Sequence, residues 1–278
     1  MARDMVAAVQ AVIGSRYTLE RELGRGGSAR VFLARDTGGR QVALKVLHPE
    51  LLVSIAADRF LREIRLASQL KHPHIAPLLD SGEANWVVYY AMAFIEGPSL
   101  KQHLAAHKPL SLDDTQRIAV DLLDAVGYAH AQGIVHRDLK PDNVILSASG
   151  AVLLDFGIAR AMETSGGDRL TKSGMTLGTS GYMSPEQIQG ERQLDARTDL
   201  YSLGCLLFEC LTGRPPFVHA NEMMVIQQHL TQPAPDVRTL RPDTPTPLAD
   251  AIARALAKAP RDRWPDAAAM RRALGGPS

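Results

Sequence analysis

Val135-His136-Arg137-Asp138-Leu139-Lys140-Pro141-Asp142-Asn143, followed some ten residues on by Leu154-Asp155-Phe156-Gly157, is the stretch on which the reading of this chain turns. Three carboxylates, an amide and an ammonium fall within one loop and the strand end after it. Phosphoryl transfer asks for that set: a carboxylate to accept or orient a hydroxyl proton, oxygen ligands for magnesium, and positive charge beside the group in transit. Asp138 fits the first role, Asn143 with Asp155 the second and Lys140 the third. His136 reads as a packed core histidine and Asp142 as a turn residue, neither being needed for the chemistry.

Working outward toward the N-terminus, Gly24-Arg25-Gly26-Gly27-Ser28-Ala29-Arg30-Val31 fits a turn between two strands, where main-chain N–H groups could approach phosphate oxygens. A plain hairpin turn would explain the same glycines. A dinucleotide-binding fingerprint is disfavoured, because a strand rather than a helix follows. Val42-Ala43-Leu44-Lys45 is an apolar strand ending in a lysine that would want a carboxylate if buried. Glu63, on a predicted helix beside Phe60 and Ala67, is the candidate partner. Taken singly, a surface lysine and a solvated glutamate fit those two positions equally well.

Together these motifs resemble the eukaryotic-type protein kinase superfamily, and among its members the bacterial Ser/Thr protein kinases, over about residues 17–275. The resemblance rests on a Gly-rich loop, V-A-x-K, H-R-D-L-K-P-x-N, D-F-G and a P-E motif in the family's order. It implies an α+β, bilobal protein-kinase fold: a small antiparallel β-sheet lobe with one main helix, plus a larger, mainly α-helical lobe. On that reading residues 1–16 are an N-terminal leader, 17–95 the ATP-binding lobe, 96–275 the catalytic and substrate-binding lobe, and 276–278 a tail. The cofactors implied are ATP and Mg2+, with Mn2+ as a substitute. Leu23, Gly24, Gly26, Gly27, Val31 and Ala43 would enclose the nucleotide from above. Met92 would be the gatekeeper, and Ala93, Phe94 and Ile95 the hinge that bonds adenine. Lys45 with Glu63 would meet the phosphates, and Asn143 with Asp155 the metal. Lys140 indicates Ser/Thr rather than Tyr as acceptor. Thr179 would hydrogen-bond Asp138 and Lys140, Glu186 of Ser184-Pro185-Glu186 would pair with Arg263, and Asp199 would brace the catalytic-loop backbone. Ala29 stands where the family's third loop glycine falls, and Ser184 where its alanine falls. Both are small, so neither puts catalysis in doubt.

The rest of the chain fits that outline. Strand-like runs are predicted at Tyr17–Gly24, Arg30–Asp36, Gln41–Leu47 and Trp86–Phe94, and a helix at Ile55–Leu70 with an apolar stripe of Phe60, Ile64 and Ala67. After the turn residues Glu96-Gly97-Pro98 the pattern turns helical. One helix starts at Ser111 with a capping box to Asp114, and others are predicted near 196–213, 221–230, 247–258 and 266–274. Between them lies a long stretch, 133–186, with strand-like pieces only at Val144–Leu146 and Val152–Leu154, and connections of that length usually carry function.

Composition narrows the partners. The 278 residues are 45% hydrophobic and 22% charged, an ordinary folded chain. The net charge of +1, from 31 basic and 30 acidic residues, offers nucleic acid no global field. Cys205 and Cys210 are badly aligned for a bridge and read as buried thiols in a reducing compartment. No membrane segment or secretory signal is evident, which predicts a cytoplasmic chain. The family adds a second prospect, the cytoplasmic domain of a longer membrane-anchored kinase, and the tail from Gly275 suits a natural end or a cut before a linker. Protein substrates with Ser/Thr acceptors are the expected partners, with a transient homodimer for trans-autophosphorylation. Thr164, Ser165, Thr171, Ser173 and Thr176 sit in a polar stretch like an activation segment; Thr171, Ser173 and Thr176 are the candidate acceptors, and Arg137 could clamp a phosphate placed there. A nucleotide-binding scaffold should lack one of the charged groups named above, and a small-molecule kinase of the aminoglycoside type lacks the full P-E segment. The nine histidines form no H-E-x-x-H or Cys/His cluster that would suit a metal-site enzyme.

Overall fold

The computed structural model describes residues 9–11, 13–26, 29–47, 61, 64–84, 87–156, 180–191 and 193–275. The chain divides into two compact units. The described residues up to Lys71, with Ala76–Ile95, form the first; His72–Ile75, Glu96–Phe156 and the residues from 180 onward form the second.

The first unit is built on a five-stranded antiparallel sheet, β1 (Tyr17–Arg25), β2 (Ala29–Asp36), β3 (Gln41–Leu47), β4 (Leu78–Ala84) and β5 (Val87–Ala93), in the spatial order β1-β2-β3-β5-β4. Register decides what each face carries, because side chains alternate along a strand. Pairing of Val31 with Lys45, Lys45 with Tyr90 and Ala43 with Met92 puts these five residues on one face. The opposite face carries an apolar core: Phe32, Ala34, Val42, Leu44, Val46, Tyr89 and Ala91 pack together there. Val9 and Ile13, from helical residues ahead of β1, complete that core and are 1% and 2% exposed. Each such burial is worth about 1.5–3 kcal/mol at most. Gln10 fixes the approach of this segment, donating from Nε2 to Tyr17 O (3.1 Å) and accepting from Leu19 N (3.2 Å). Of the stripe predicted on the helix at 55–70, Ile64 and Ala67 are described, and both are buried; Phe60 lies outside the described residues.

The second unit is mainly helical. Its helices are α1 (Leu100–Ala106), α2 (Leu112–Ala131), α3 (Pro185–Ile188), α4 (Ala196–Thr212), α5 (Glu222–Thr231), α6 (Thr246–Ala255) and α7 (Ala267–Ala273), with a hairpin of β6 (Val144–Ser147) and β7 (Gly150–Leu153). Ser111 caps α2 by accepting from Asp114 N (3.0 Å). The predicted box does not close: the short Asp114 side chain meets the Ser111 hydroxyl (2.6 Å), not its backbone N–H. A full box forms instead at α1, between Ser99 and Gln102. Helix α4 is the centre of the unit, with Leu200, Leu203, Leu206, Leu207 and Phe208 at 0% exposure. Cys205 and Cys210 lie on it as free, fully buried thiols, pushed up from the ordinary thiol range by that burial. No helix among the described residues is long and apolar enough to cross a membrane.

Candidate active site

The loop from Val135 to Asn143 leaves α2 and enters β6 through a turn of 3-10 helix at Pro141–Asn143. Its geometry is set by buried partners. Asp199, in the first turn of α4 and 0% exposed, accepts from His136 N (2.8 Å, Oδ2) and from Arg137 N (2.8 Å, Oδ1). His130, near the end of α2, places its Nε2 2.7 Å from Asp199 Oδ2. Burial alone would push the Asp199 carboxyl up; the His130 hydrogen bond and charge, with the backbone N–H groups, hold it below the usual carboxylate range. The aspartate therefore stays ionised and anchors the backbone just before Asp138.

Anchoring is needed because Arg137 has a φ of 70°, in the left-handed region, at a cost of about 1–2 kcal/mol for a residue with a side chain. From this turn the Asp138 side chain faces a shared set of donors. Lys140 Nζ lies 2.8 Å from each of its carboxylate oxygens, and Asn143 Nδ2 donates to Asp138 Oδ2 (3.0 Å) and to its backbone O (2.7 Å). Asp138 is only half-buried, so its oxygens remain open to an incoming group. With Nδ2 committed, the Asn143 side chain has its oxygen left to offer a cation.

The β6–β7 hairpin brings the next acid close. Val144 pairs with Leu153, and Leu154 N donates to Asn143 O (2.9 Å), so Asp155 follows one residue after a direct tie to Asn143. Asp155 also has a left-handed φ, 62°. His136 closes the circuit: its Nδ1 accepts from Asp138 N (3.2 Å), which leaves the other ring nitrogen, Nε2, protonated to donate to Leu154 O (2.7 Å). Fully buried and edge-on to Phe156 at 4.7 Å, it is a core histidine that also ties the two halves of the passage together.

Glu186, at the start of α3, meets Arg263 in a buried bidentate pair, Oε1–Nη1 and Oε2–Nη2 both 2.7 Å, at 3% and 1% exposure. Thr198 donates to the same carboxylate (2.8 Å), and Arg263 also donates to the carbonyls of Arg197, Ala257 and Lys258. Burial acts to raise the Glu186 carboxyl, and the Arg263 hydrogen bonds and charge more than offset it, leaving it below its ordinary value.

In the first unit the glycine-rich stretch is the turn between β1 and β2, with Gly24 paired to Val31 and Gly26 N bonded to Ala29 O (2.9 Å). Leu23 is in β1. Lys45, Val31, Ala43 and Met92 share the sheet face described above, and Lys45 Nζ lies 5.8 Å from the Tyr90 ring centroid. Ala93 donates to Pro77 O (2.9 Å), and Phe94 and Ile95 follow it beyond the end of β5. Gly27, Glu63, Thr164, Ser165, Thr171, Ser173, Thr176 and Thr179 lie outside the described residues.

Three contributors carry no motif and escaped the sequence reading: His130 behind Asp199, Gln187, whose Nε2 reaches Arg137 O (2.7 Å), and Glu209, which accepts from the Tyr182 hydroxyl. Only the position of Gln187 directly after Ser-Pro-Glu offered a hint.

The sequence profile of the family described as "Protein kinase domain" matches residues 17–273. Among curated proteins, a probable serine/threonine-protein kinase of Streptomyces coelicolor is 43% identical over 267 residues, covering 93% of this chain and 39% of that protein. The serine/threonine-protein kinase PknB of Mycolicibacterium smegmatis is 40% identical over 272 residues, 93% of this chain and 42% of its own. The serine/threonine-protein kinase PknD of Mycobacterium tuberculosis is 40% identical over 265 residues, 94% and 39% respectively. The chain thus spans about two fifths of the length of the curated relatives it matches. With a profile match across nearly its whole length, the chain belongs to the protein kinase domain family.

Proposed function

We propose that the chain is the catalytic domain of a serine/threonine protein kinase, moving the γ-phosphoryl group of ATP to Ser or Thr hydroxyls of proteins, its own activation segment among them. The observation that carries the reading is the cluster at Asp138: one half-exposed carboxylate held between an ammonium and an amide, on a backbone fixed from behind by a buried aspartate. Asp138 takes or orients the acceptor's proton, and Lys140 beside it offsets the charge that develops on the transferring group.

Membership of the family implies ATP and a divalent cation, and the choice of Mg2+, or Mn2+ in its place, is part of the proposal. The donors suit a hard cation. Among the described residues no group of three or more His, Cys, Asp or Glu could hold a metal by itself, so the protein's share would be the Asn143 oxygen and the Asp155 carboxylate, completed by phosphate oxygens and water. A cation so held neutralises charge on the phosphates. Lys45, oriented by Glu63, serves the phosphates as well. Leu23, Gly24, Gly26, Gly27, Val31 and Ala43 cover the nucleotide and Met92 bounds the base. The hinge at Ala93, Phe94 and Ile95 bonds the adenine; Ala93, its N–H already used, acts through its carbonyl. Thr171, Ser173 and Thr176 are the proposed autophosphorylation sites, Thr179 a positioning group for Asp138, and trans-autophosphorylation through a transient homodimer the proposed route. The proposed location is the cytoplasm, as a whole protein or as part of a longer anchored one.

Incubation with radiolabelled ATP and Mg2+, alone and with a generic basic protein, followed by phosphoamino-acid analysis, tests this. Label on Ser and Thr is expected, absent when Lys45 is replaced by Met. No protein-bound label, or label on Tyr alone, would overturn it.

A further inference from the structure

Ser184 departs from the family's alanine, and the side chain three residues on shows what accompanies the change. Ser184 is the N-cap of α3 and Gln187 its N3 residue, and the two close a capping box: Gln187 N donates to Ser184 Oγ (3.4 Å), while Gln187 Oε1 accepts from Ser184 N (3.1 Å) and Ser184 Oγ (3.3 Å). A capping glutamine uses only its oxygen. Here the amide nitrogen is aimed the other way, at the backbone carbonyl of Arg137, 2.7 Å off and fifty residues away in sequence. The amide orientation follows from the network. Flipped, it would set an oxygen against a carbonyl and a nitrogen against an N–H donor.

Arg137 is the residue in the left-handed conformation directly before Asp138. Its N–H is fixed by Asp199 and its carbonyl by Gln187, so the residue leading into Asp138 is gripped on both sides. The first grip comes from the buried start of α4. The second comes from α3 itself, which is anchored in turn by Glu186 on Arg263.

We infer that Gln187 is a positioning residue for Asp138, coupling the first turn of α3 to the backbone of the catalytic loop. This rests on the reading of Asp138 as the catalytic carboxylate. The coupling acts on the turnover step rather than on nucleotide binding, because the bond holds the peptide preceding Asp138 and touches none of the residues assigned to ATP.

Two substitutions separate the bridge from the cap. Gln187→Glu keeps the oxygen that serves the Ser184 cap and loses the donor to Arg137; Ser184→Ala loses the cap hydroxyl and keeps the donor. The measurements are steady-state kinetics with ATP and a protein acceptor, and amide hydrogen exchange over 134–140. For Gln187→Glu, kcat should fall about tenfold, with KM for ATP within about twofold and faster exchange in that loop. Ser184→Ala should stay within about twofold of wild type in both readouts. Gln187→Met, neutral and similar in length, should reproduce the exchange change if the glutamate folds poorly. Unchanged exchange in both Gln187 variants, or equal effects from Ser184→Ala, would overturn the inference. A wild-type protein that transfers no phosphate would defeat the functional reading alone, since exchange still reports the bridge.

Discussion

The turn between β1 and β2 and the loop from 135 to 143 both serve the phosphates in this reading, yet they are built differently. The turn is closed by a backbone bond from Gly26 to Ala29, on a strand pair with two register shifts. The loop is gripped from outside by the side chains of Gln187 and Asp199, the latter backed by His130, and from within by its own Asn143, and it contains one residue in a strained conformation. The glycines of the turn and Gly97, just ahead of α1, make the same contrast. A Cβ at Gly24 would meet nothing within 4 Å, and at Gly26 only Ala29 O at 3.7 Å. The fold tolerates alanine at both, so any demand for glycine comes from a ligand lying close to the turn. At Gly97 the fold itself imposes the requirement: φ is 140°, and a Cβ would sit 2.2 Å from Leu146 O. Groups that perform chemistry are preorganised, at a cost in strain, whereas a cover for a nucleotide can stay compliant.

The contrast breaks most easily at Asp199. Asp199→Ala should cost about 3–5 kcal/mol in chemical unfolding, because His130 and two backbone N–H groups lose a buried acceptor; a loss under about 1 kcal/mol would mean the loop is not held from behind. Next in size, Gly97→Ala should cost roughly 2 kcal/mol in the same measurement. pH gives a third test. Burial, then the charge of Lys258, push His229 down to about 3, so it is neutral when folded and takes up a proton when unfolded below about 6.5. Stability should therefore fall as pH drops below 6.5, by up to about 1.4 kcal/mol per pH unit from this one group, and His229→Gln should flatten that limb. Glu186 and Asp199, held low when folded, add their loss further down, as pH falls through their folded values. The smallest effect belongs to the turn: Gly24→Ala should change stability by less than about 1 kcal/mol while raising KM for ATP several-fold.

How much of this could be read beforehand follows the same division. The passage from 135 to 156 was legible as one cluster because its groups lie close together in sequence, and the structure brings Asp138, Lys140 and Asn143 into contact. Four strands of the five-stranded sheet, and both strands of the β6–β7 hairpin, were legible from β-branched and apolar runs. β4 was missed because Leu78-Leu79-Asp80-Ser81-Gly82-Glu83-Ala84 reads as a turn, and only its pairing with β5 makes it a strand. Helix α1 was missed behind Glu96-Gly97-Pro98, although Ser99 and Gln102 spelled its capping box. Val9 and Ile13 were assigned to a leader because a short stretch of weak periodicity declares no partner; the sheet face supplies one. The braces are tertiary throughout: nothing near His130 announces the Asp199 carboxylate it will meet, and nothing near Gln187 the Arg137 carbonyl.

The most direct test is single-turnover transfer from ATP to a protein hydroxyl by wild type and by Asp138→Asn, with thermal unfolding of both followed in parallel. The expected result is a rate lower by about 10²- to 10⁴-fold at a nearly unchanged unfolding temperature. Equal rates in the two proteins would contradict the assignment of Asp138, and with it the purpose given to everything that holds its loop in place.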